Sequence, residues 1–110
     1  GLVRVFERAF KDTAKLRARK LLVEHLDAVQ RASYEKDGHF VVEVQGVRYR
    51  IDQGTHGNVK ELDAAGKPLA SYCIQPAGVP DEDAMLAQKL QLEADVAAFK
   101  RVANRRPYYA

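Results

Sequence analysis

The segment HFVVEVQGVRYRID, residues 39–52, carries the pattern that decides the fold. Its two halves, 39–44 and 47–52, alternate apolar and polar side chains with the period of two that is typical of a β-strand with one buried face. Gln45 and Gly46 lie between the halves and match a two-residue hairpin turn. Because a shift of one residue would turn the apolar side chains towards solvent, the pattern and the turn together predict a single register.

The predicted hairpin has apolar pairs on one side and opposite charges across the strands on the other. The apolar pairs are Phe40 with Ile51, Val42 with Tyr49 and Val44 with Val47, and the polar pairs are Glu43 with Arg48 and His39 with Asp52. Further along the chain, residues 59–62 and 69–74 have strand composition, and Gly66 suits the turn between them. We therefore expect a four-stranded antiparallel meander over residues 39–75.

Helical periodicity precedes this sheet, within a basic N-terminal helical region over residues 1–36. The apolar residues from Phe10 to Ala32 recur on one side of a helical wheel, and Asp12 or Thr13 is suited to cap the start. Residues 2–9 also have helical spacing, but their apolar side is turned away from the later one. They are therefore predicted to be a separate helical turn, a kinked extension or a short strand over residues 2–6.

A second helix is predicted over residues 80–104, because Asp81, Glu82 and Asp83 lie at its start and basic residues gather at its end, as the helix dipole favours. This helix has a second apolar stripe beside its main one. The second stripe consists of Leu86, Leu90, Ala94 and Ala97. Since a helix packed on one side of a sheet needs only one stripe, the second is either covered within the domain or meets a partner.

The fold class follows from the segregation of these elements. The 110 residues, 46% apolar and 30% charged, are typical of one folded domain. Helices at both ends and strands between them favour an α+β fold over alternating βαβ units. We expect both helices on the sheet face that displays Phe40, Val42 and Tyr49, and no apolar run is long enough to predict a membrane span.

The charge is concentrated at one end of the chain. Residues 1–20 carry a net charge of +5 and the remaining ninety carry −2, within a total of +3. A basic end on a slightly acidic body predicts a non-catalytic binding or regulatory role with an anionic partner, nucleic acid first or an acidic protein. The candidate contacts are Arg4, Arg8, Lys11, Lys15, Arg17, Arg19 and Lys20, continued by Arg48 and Arg50. The competing hypothesis is a protein interaction or homodimer through the second stripe of the C-terminal helix.

The residue types that carry catalysis lack the spacing that it requires, so we expect no enzyme, cofactor or metal site. The three histidines have no metal-ligand spacing: His25 is expected in the core or at its edge, His39 beside Asp52, and His56 in a loop. The single cysteine, Cys73, has no neighbouring base to activate it and forms no internal disulfide. A cytoplasmic location is the default expectation, with a secreted form that has lost its signal as the alternative.

Overall fold

Two helices, four strands, two further helices and a fifth strand follow one another in the computed structural model, which describes residues 1–54, 57–73 and 78–108. The elements are α1 (Leu2–Glu24), α2 (Ala28–Asp37), β1 (His39–Val44), β2 (Val47–Asp52), β3 (Val59–Leu62), β4 (Pro68–Cys73), α3 (Asp81–Ala94), α4 (Val96–Val102) and β5 (Asn104–Pro107). All five strands form one antiparallel sheet in the order β1-β2-β3-β4-β5. The α+β prediction is confirmed, with five strands in place of four; the predicted sheet positions 74–75 lie outside the described residues.

The first hairpin has the predicted register. All five predicted cross-strand pairs are present between β1 and β2, from His39 opposite Asp52 to Val44 opposite Val47. The turn residues Gln45 and Gly46 both have positive φ angles, 53° and 79°. These angles match the right-handed twist of the strands, which is why a two-residue turn closes the hairpin here.

The core lies between one face of the sheet and the helices. Phe40, Val42, Tyr49 and Ile51 from the first hairpin are each at most 2% exposed and join one apolar cluster with side chains of all four helices. Helix α2 packs on β1, α3 packs on β1 and β2, and α1 packs on α3. The helices therefore cover the predicted face.

The first predicted helix, Phe10 to Ala32, is wrong at both ends. Helix α1 begins at Leu2, so residues 2–9 are its continuous first turns, and neither Asp12 nor Thr13 caps its start. The chain turns at residues 25–27, and Asp27 then caps α2 in a capping box with Gln30. The signal was the Asp-x-x-Gln spacing at 27–30, which satisfies free amides at a helix start and so competes with continuing the helix.

The predicted helix 80–104 is interrupted in the same way. Helix α3 ends at Ala94, and the carboxylate of Asp95 accepts a hydrogen bond from the amide of Ala98 at 3.0 Å, which caps α4. After α4 the chain becomes extended, and Arg105 and Arg106 pair with Tyr72 and Ser71 of β4. The basic end of the predicted helix is thus partly a fifth strand.

Candidate interface on the first helix

The first half of α1 projects beyond the rest of the domain. Its second half packs on the body through Ala18 and Leu22, which are buried, whereas residues 2–13 are all exposed. At 1.5 Å per residue the exposed segment is about 18 Å long. The molecule measures 51 × 29 × 26 Å, and α1 accounts for this elongation because it is the longest helix of the described chain.

An ion pair marks the point where α1 leaves the body. The Nζ atom of Lys15 donates to Oε1 of Glu82, in the first turn of α3, at 2.6 Å. The Glu82 side chain is 2% exposed and that of Lys15 is 64% exposed, so the lysine reaches from solvent to a buried carboxylate. The hydrogen bond with Glu82 raises the pKa of Lys15, which therefore stays charged at neutral pH. This contact takes Lys15 out of the predicted anion-binding set.

The other predicted basic residues of α1 divide between two sides of the helix. Arg4, Arg8, Lys11 and Arg19 follow one another at intervals that keep them within about 80° of the wheel, since successive residues turn by about 100°. Arg17 and Lys20 are turned away from Arg4 by about 140° and 160°. Within the described part of the chain, Lys15 is the only basic residue of α1 that forms an ion pair. We call Arg4, Arg8 and Lys11, the members in the projecting half, the basic row.

Arg48 and Arg50 do not extend the basic row. They alternate along β2 with Tyr49 and Ile51, which face the helices, so both arginines point to the opposite side of the sheet. Arg48 donates to the carbonyl oxygens of Asp63 and Ala64, and Arg50 pairs with the carboxylate of Asp52 at 2.9 Å. Their place on the side opposite the apolar set agrees with the alternation of the strand, and it puts the core between them and α1. That they contact an anionic partner stays a prediction.

A strip of large apolar side chains on the projecting half of α1 was not recognised as a site in the sequence. Leu2, Phe6, Phe10 and Leu16 are 78%, 74%, 77% and 68% exposed. Leu2, Phe6 and Leu16 lie about 120–160° around the helix from Ala18, so this side faces away from the body. The sequence signal was that the apolar side of residues 2–9 is rotated away from the apolar side of the later turns. In one continuous helix this rotation leaves the first apolar side uncovered.

The residues of the predicted protein interface on the C-terminal helix do not form one continuous exposed strip. Leu86 is 6% exposed and belongs to the core cluster. Leu90 is 47% exposed and Ala94 is exposed at the end of α3, but Ala97 lies on α4 beyond the break at Asp95. The structure therefore leaves one large apolar side chain, Leu90, in place of the predicted strip.

The remaining candidate chemical groups are not gathered in one place. His25 is exposed at the end of α1, with Nδ1 2.8 Å from the carbonyl oxygen of Leu21, so its predicted place in the core or at its edge is wrong. His39 lies opposite Asp52 in the register, but its buried Nδ1 has no hydrogen-bond partner in the described residues and the Asp52 carboxylate pairs with Arg50 and Lys60; His56 falls outside the described residues. Cys73 is half-buried on β4. In residues 1–54, 57–73 and 78–108 no three His, Cys, Asp or Glu side chains are grouped to hold a metal ion.

A polar cluster connects α4 to the sheet. It consists of Glu61, Tyr72 and Lys100. Lys100 contacts Glu61 at 2.8 Å, and the Tyr72 hydroxyl donates to the same carboxylate oxygen at 3.0 Å. Burial alone would raise the pKa of Glu61, but the hydrogen bonds from Lys100 and Tyr72 outweigh it and lower the pKa. The Lys100 ammonium also lies over the rings of Tyr49 and Tyr72, at 5.5 and 5.7 Å from their centroids. This cluster fixes packing and leaves no room for a substrate between its members.

Comparisons with other proteins do not assign a family to this geometry. No protein-family model, curated protein or solved structure matches the chain. Of the helices in the described residues, none combines the length and apolarity needed to cross a membrane.

Proposed function

We propose that this chain is a non-catalytic binding domain that contacts nucleic acid through the basic row of α1. The observation that carries the proposal is the position of Arg4, Arg8 and Lys11: all three are exposed on a segment that projects from the body. In the described residues none of the three forms an ion pair. Their charges are therefore available to a partner.

The spacing of the row suits a linear polyanion. The three residues recur every three or four positions, so their attachment points advance along the helix by about 5–6 Å. A nucleic acid presents closely spaced negative charges along its length, and each neutralised phosphate releases bound counterions. Three contacts of this kind favour weak, sequence-independent binding rather than reading of bases.

The charge of the body directs such a partner to α1. Asp81, Glu82 and Asp83 lie in the first turn of α3, at the level of Lys15, where the projecting half begins. Glu82 is buried and paired with Lys15, so the carboxylates of Asp81 and Asp83 are the groups that oppose the approach of a polyanion to the body and favour its binding along the basic row. On the sheet side, Arg50 and Lys60 are both paired with Asp52.

The test is fluorescence anisotropy with labelled duplex DNA and RNA at about 50 and 200 mM salt. We expect binding at the lower salt that weakens steeply at the higher one. The variant Arg4→Ala/Arg8→Ala/Lys11→Ala is expected to lose most of the affinity and to reduce the slope of log affinity against log salt by about 2.7, for three lost phosphate contacts.

The matched control removes three exposed positive charges from the body: Lys36→Ala/Lys67→Ala/Arg101→Ala. It has the same net charge as the first variant and is expected to bind nearly as well as the wild type. Absence of binding at the lower salt, or an equal loss in both triple variants, would overturn the proposal.

A further inference from the structure

The apolar strip of α1 is not covered by any element of the described part of the chain. Residues 2–13 are exposed, although they continue a helix whose second half packs on the body through Ala18 and Leu22. Contiguous large apolar side chains at 65–78% exposure, such as Leu2, Val5 and Phe6, are typical of an interaction surface.

The strip has the spacing of a coiled-coil seam. Positions counted alternately four and three apart from Leu2 are heptad positions d and a; Leu2, Phe6 and Leu16 of the strip lie at these positions, and Phe10 lies beside them at position e. The a positions are Phe6, Thr13 and Lys20, and the d positions are Leu2, Ala9, Leu16 and Val23. Val23 is partly buried against the core, so the first two heptads form the open part of the seam. Thr13 and Lys20 are polar residues at position a, which lowers the stability of such a seam.

We propose that the projecting half of α1 forms a parallel, in-register coiled coil with α1 of a second copy of this chain. The residues beside the seam indicate that its partner is a second copy of α1. In a parallel pair, position g of one helix meets the following position e of the other, five residues later in the sequence. The pairs between copies are Val5 with Phe10, Asp12 with Arg17, and Arg19 with Glu24.

The first two of these pairs are complementary and carry the argument, since Arg19 and Glu24 of the third line a groove with Arg31 and Glu35 of α2. Val5 and Phe10 are both large and apolar and widen the seam, and Asp12 with Arg17 joins opposite charges. All four side chains are exposed in the single chain and so are free to make the contact. In an antiparallel pair g meets g and e meets e, so these complementary g–e pairs would be lost, which favours the parallel arrangement.

The remaining charges and the body lie on the outer side of this pair. Arg4 and Lys11 occupy position f, and Arg8 occupies position c, both away from the seam. Ala18 (f) and Leu22 (c), which pack on the body, are on the same outer side. Over residues 2–13 the seam is therefore clear of the body, and the basic row stays exposed on both copies, whereas from Leu16 onward the groove beside α1 is shared with Arg31 and Glu35 of α2. The inference does not depend on the proposed function, because the two use different faces of α1.

An anionic lipid surface is the competing occupant of an apolar strip beside basic residues. The edges of the strip argue against it. One edge carries Asp12, which such a surface repels, and Thr13 interrupts the apolar side chains. Asp12 has a role in a helix pair, as the charge partner of Arg17.

The first test is sedimentation equilibrium from about 1 µM to about 1 mM, a range that brackets weak association. We expect a monomer–dimer equilibrium. Phe6→Glu is expected to weaken dimerisation at least tenfold, and Lys11→Glu, an exposed helix residue on the outer side, is expected to leave it within about twofold. Because Phe6 is outside the core, both variants should retain the wild-type thermal unfolding of the body.

The second test addresses direction and register. Asp12→Arg alone is expected to weaken the dimer about tenfold by placing like charges together, and Asp12→Arg/Arg17→Asp is expected to restore it. In a Cys73→Ala background, Ala9→Cys places two thiols face to face at position d, where oxidation should give a covalent dimer. Arg8→Cys, on the outer side, should not cross-link.

A monomer at every concentration would overturn the proposal, as would a dimer that Phe6→Glu does not affect. Binding of the monomer to vesicles containing anionic lipid, lost in Phe6→Glu, would assign the strip to a membrane surface instead. Loss of nucleic-acid binding in the basic-row variant without any change in dimerisation would separate the proposed function from this inference.

Discussion

Asn58 and Gln88 join their side-chain amides reciprocally in the interior of the domain. The Nδ2 atom of Asn58 donates to Oε1 of Gln88 at 2.7 Å, and Nε2 of Gln88 donates to Oδ1 of Asn58 at 3.1 Å. Asn58 also donates to the carbonyl oxygen of Asp52 at 3.2 Å, and its own carbonyl accepts from the Asp52 amide. The pair thus connects α3 to the two ends of the segment between β2 and β3. It satisfies buried polar groups that neither element satisfies alone.

We expect that breaking this amide pair destabilises the whole domain. Gln88→Leu leaves the buried amide of Asn58 without its partner, which costs about 1–3 kcal/mol in the free energy of unfolding. Gln91→Leu changes an exposed amide on the same helix and should change the free energy of unfolding by less than about 0.5 kcal/mol. Urea unfolding of both variants measures the difference, and equal values would contradict a structural role for the pair.

The Lys15–Glu82 ion pair predicts a pH-dependent contribution to stability. Lys15→Met leaves a buried carboxylate without this donor and should lower the free energy of unfolding by about 1–3 kcal/mol at neutral pH. Because folding raises the pKa of Lys15, the difference from wild type should be complete below the ordinary value of 10.5 and shrink as the pH rises beyond it. Lys11→Met, one turn earlier on the exposed segment, should have little effect at any pH.

The lowered pKa of Glu61 predicts a contribution to stability that is lost at acid pH. Its pKa is lower in the folded protein, so its contribution to stability is present above the ordinary value of 4.5 and is lost as the pH falls through the folded value. Glu61→Gln should therefore cost about 1 kcal/mol at neutral pH and progressively less below pH 4.5. Glu43→Gln, an exposed change on the neighbouring hairpin, serves as the control in acid unfolding curves. The prediction fails if both variants follow the same curve.

The hairpin turn at Gln45 and Gly46 offers a test that involves the backbone alone. Gln45 has a φ angle of 53°, which asparagine adopts more readily, so Gln45→Asn should stabilise the domain by about 0.5 kcal/mol. Gly46 has a φ angle of 79° and no atom near the position of an added Cβ, so Gly46→Ala should cost about 1 kcal/mol through backbone strain only. Thermal unfolding compares both; a less stable Gln45→Asn would show that the turn differs from the one described.

Local patterns predicted those elements in which neighbours in sequence are also neighbours in space. The hairpin is the clearest case: alternation and a two-residue turn determine which residue lies opposite Phe40, and no distant contact is needed. The helix breaks before α2 and α4 were also encoded locally, by Asp27 with Gln30 and by Asp95. They were missed because apolar periodicity was given more weight than capping.

The candidate interface could be predicted only in part. The sequence by itself determined that the first twenty residues are basic and that Leu2 and Phe6 face away from the later apolar stripe, since both follow from helical spacing. Where the body ends along α1 was decided by tertiary packing: Glu82, in the first turn of α3, contacts Lys15, and the earlier turns of α1 extend past this contact. Packing likewise buried Leu86. The physical reason is that periodicity gives the direction of each side chain about its own helix or strand, whereas exposure depends on which other elements lie in that direction.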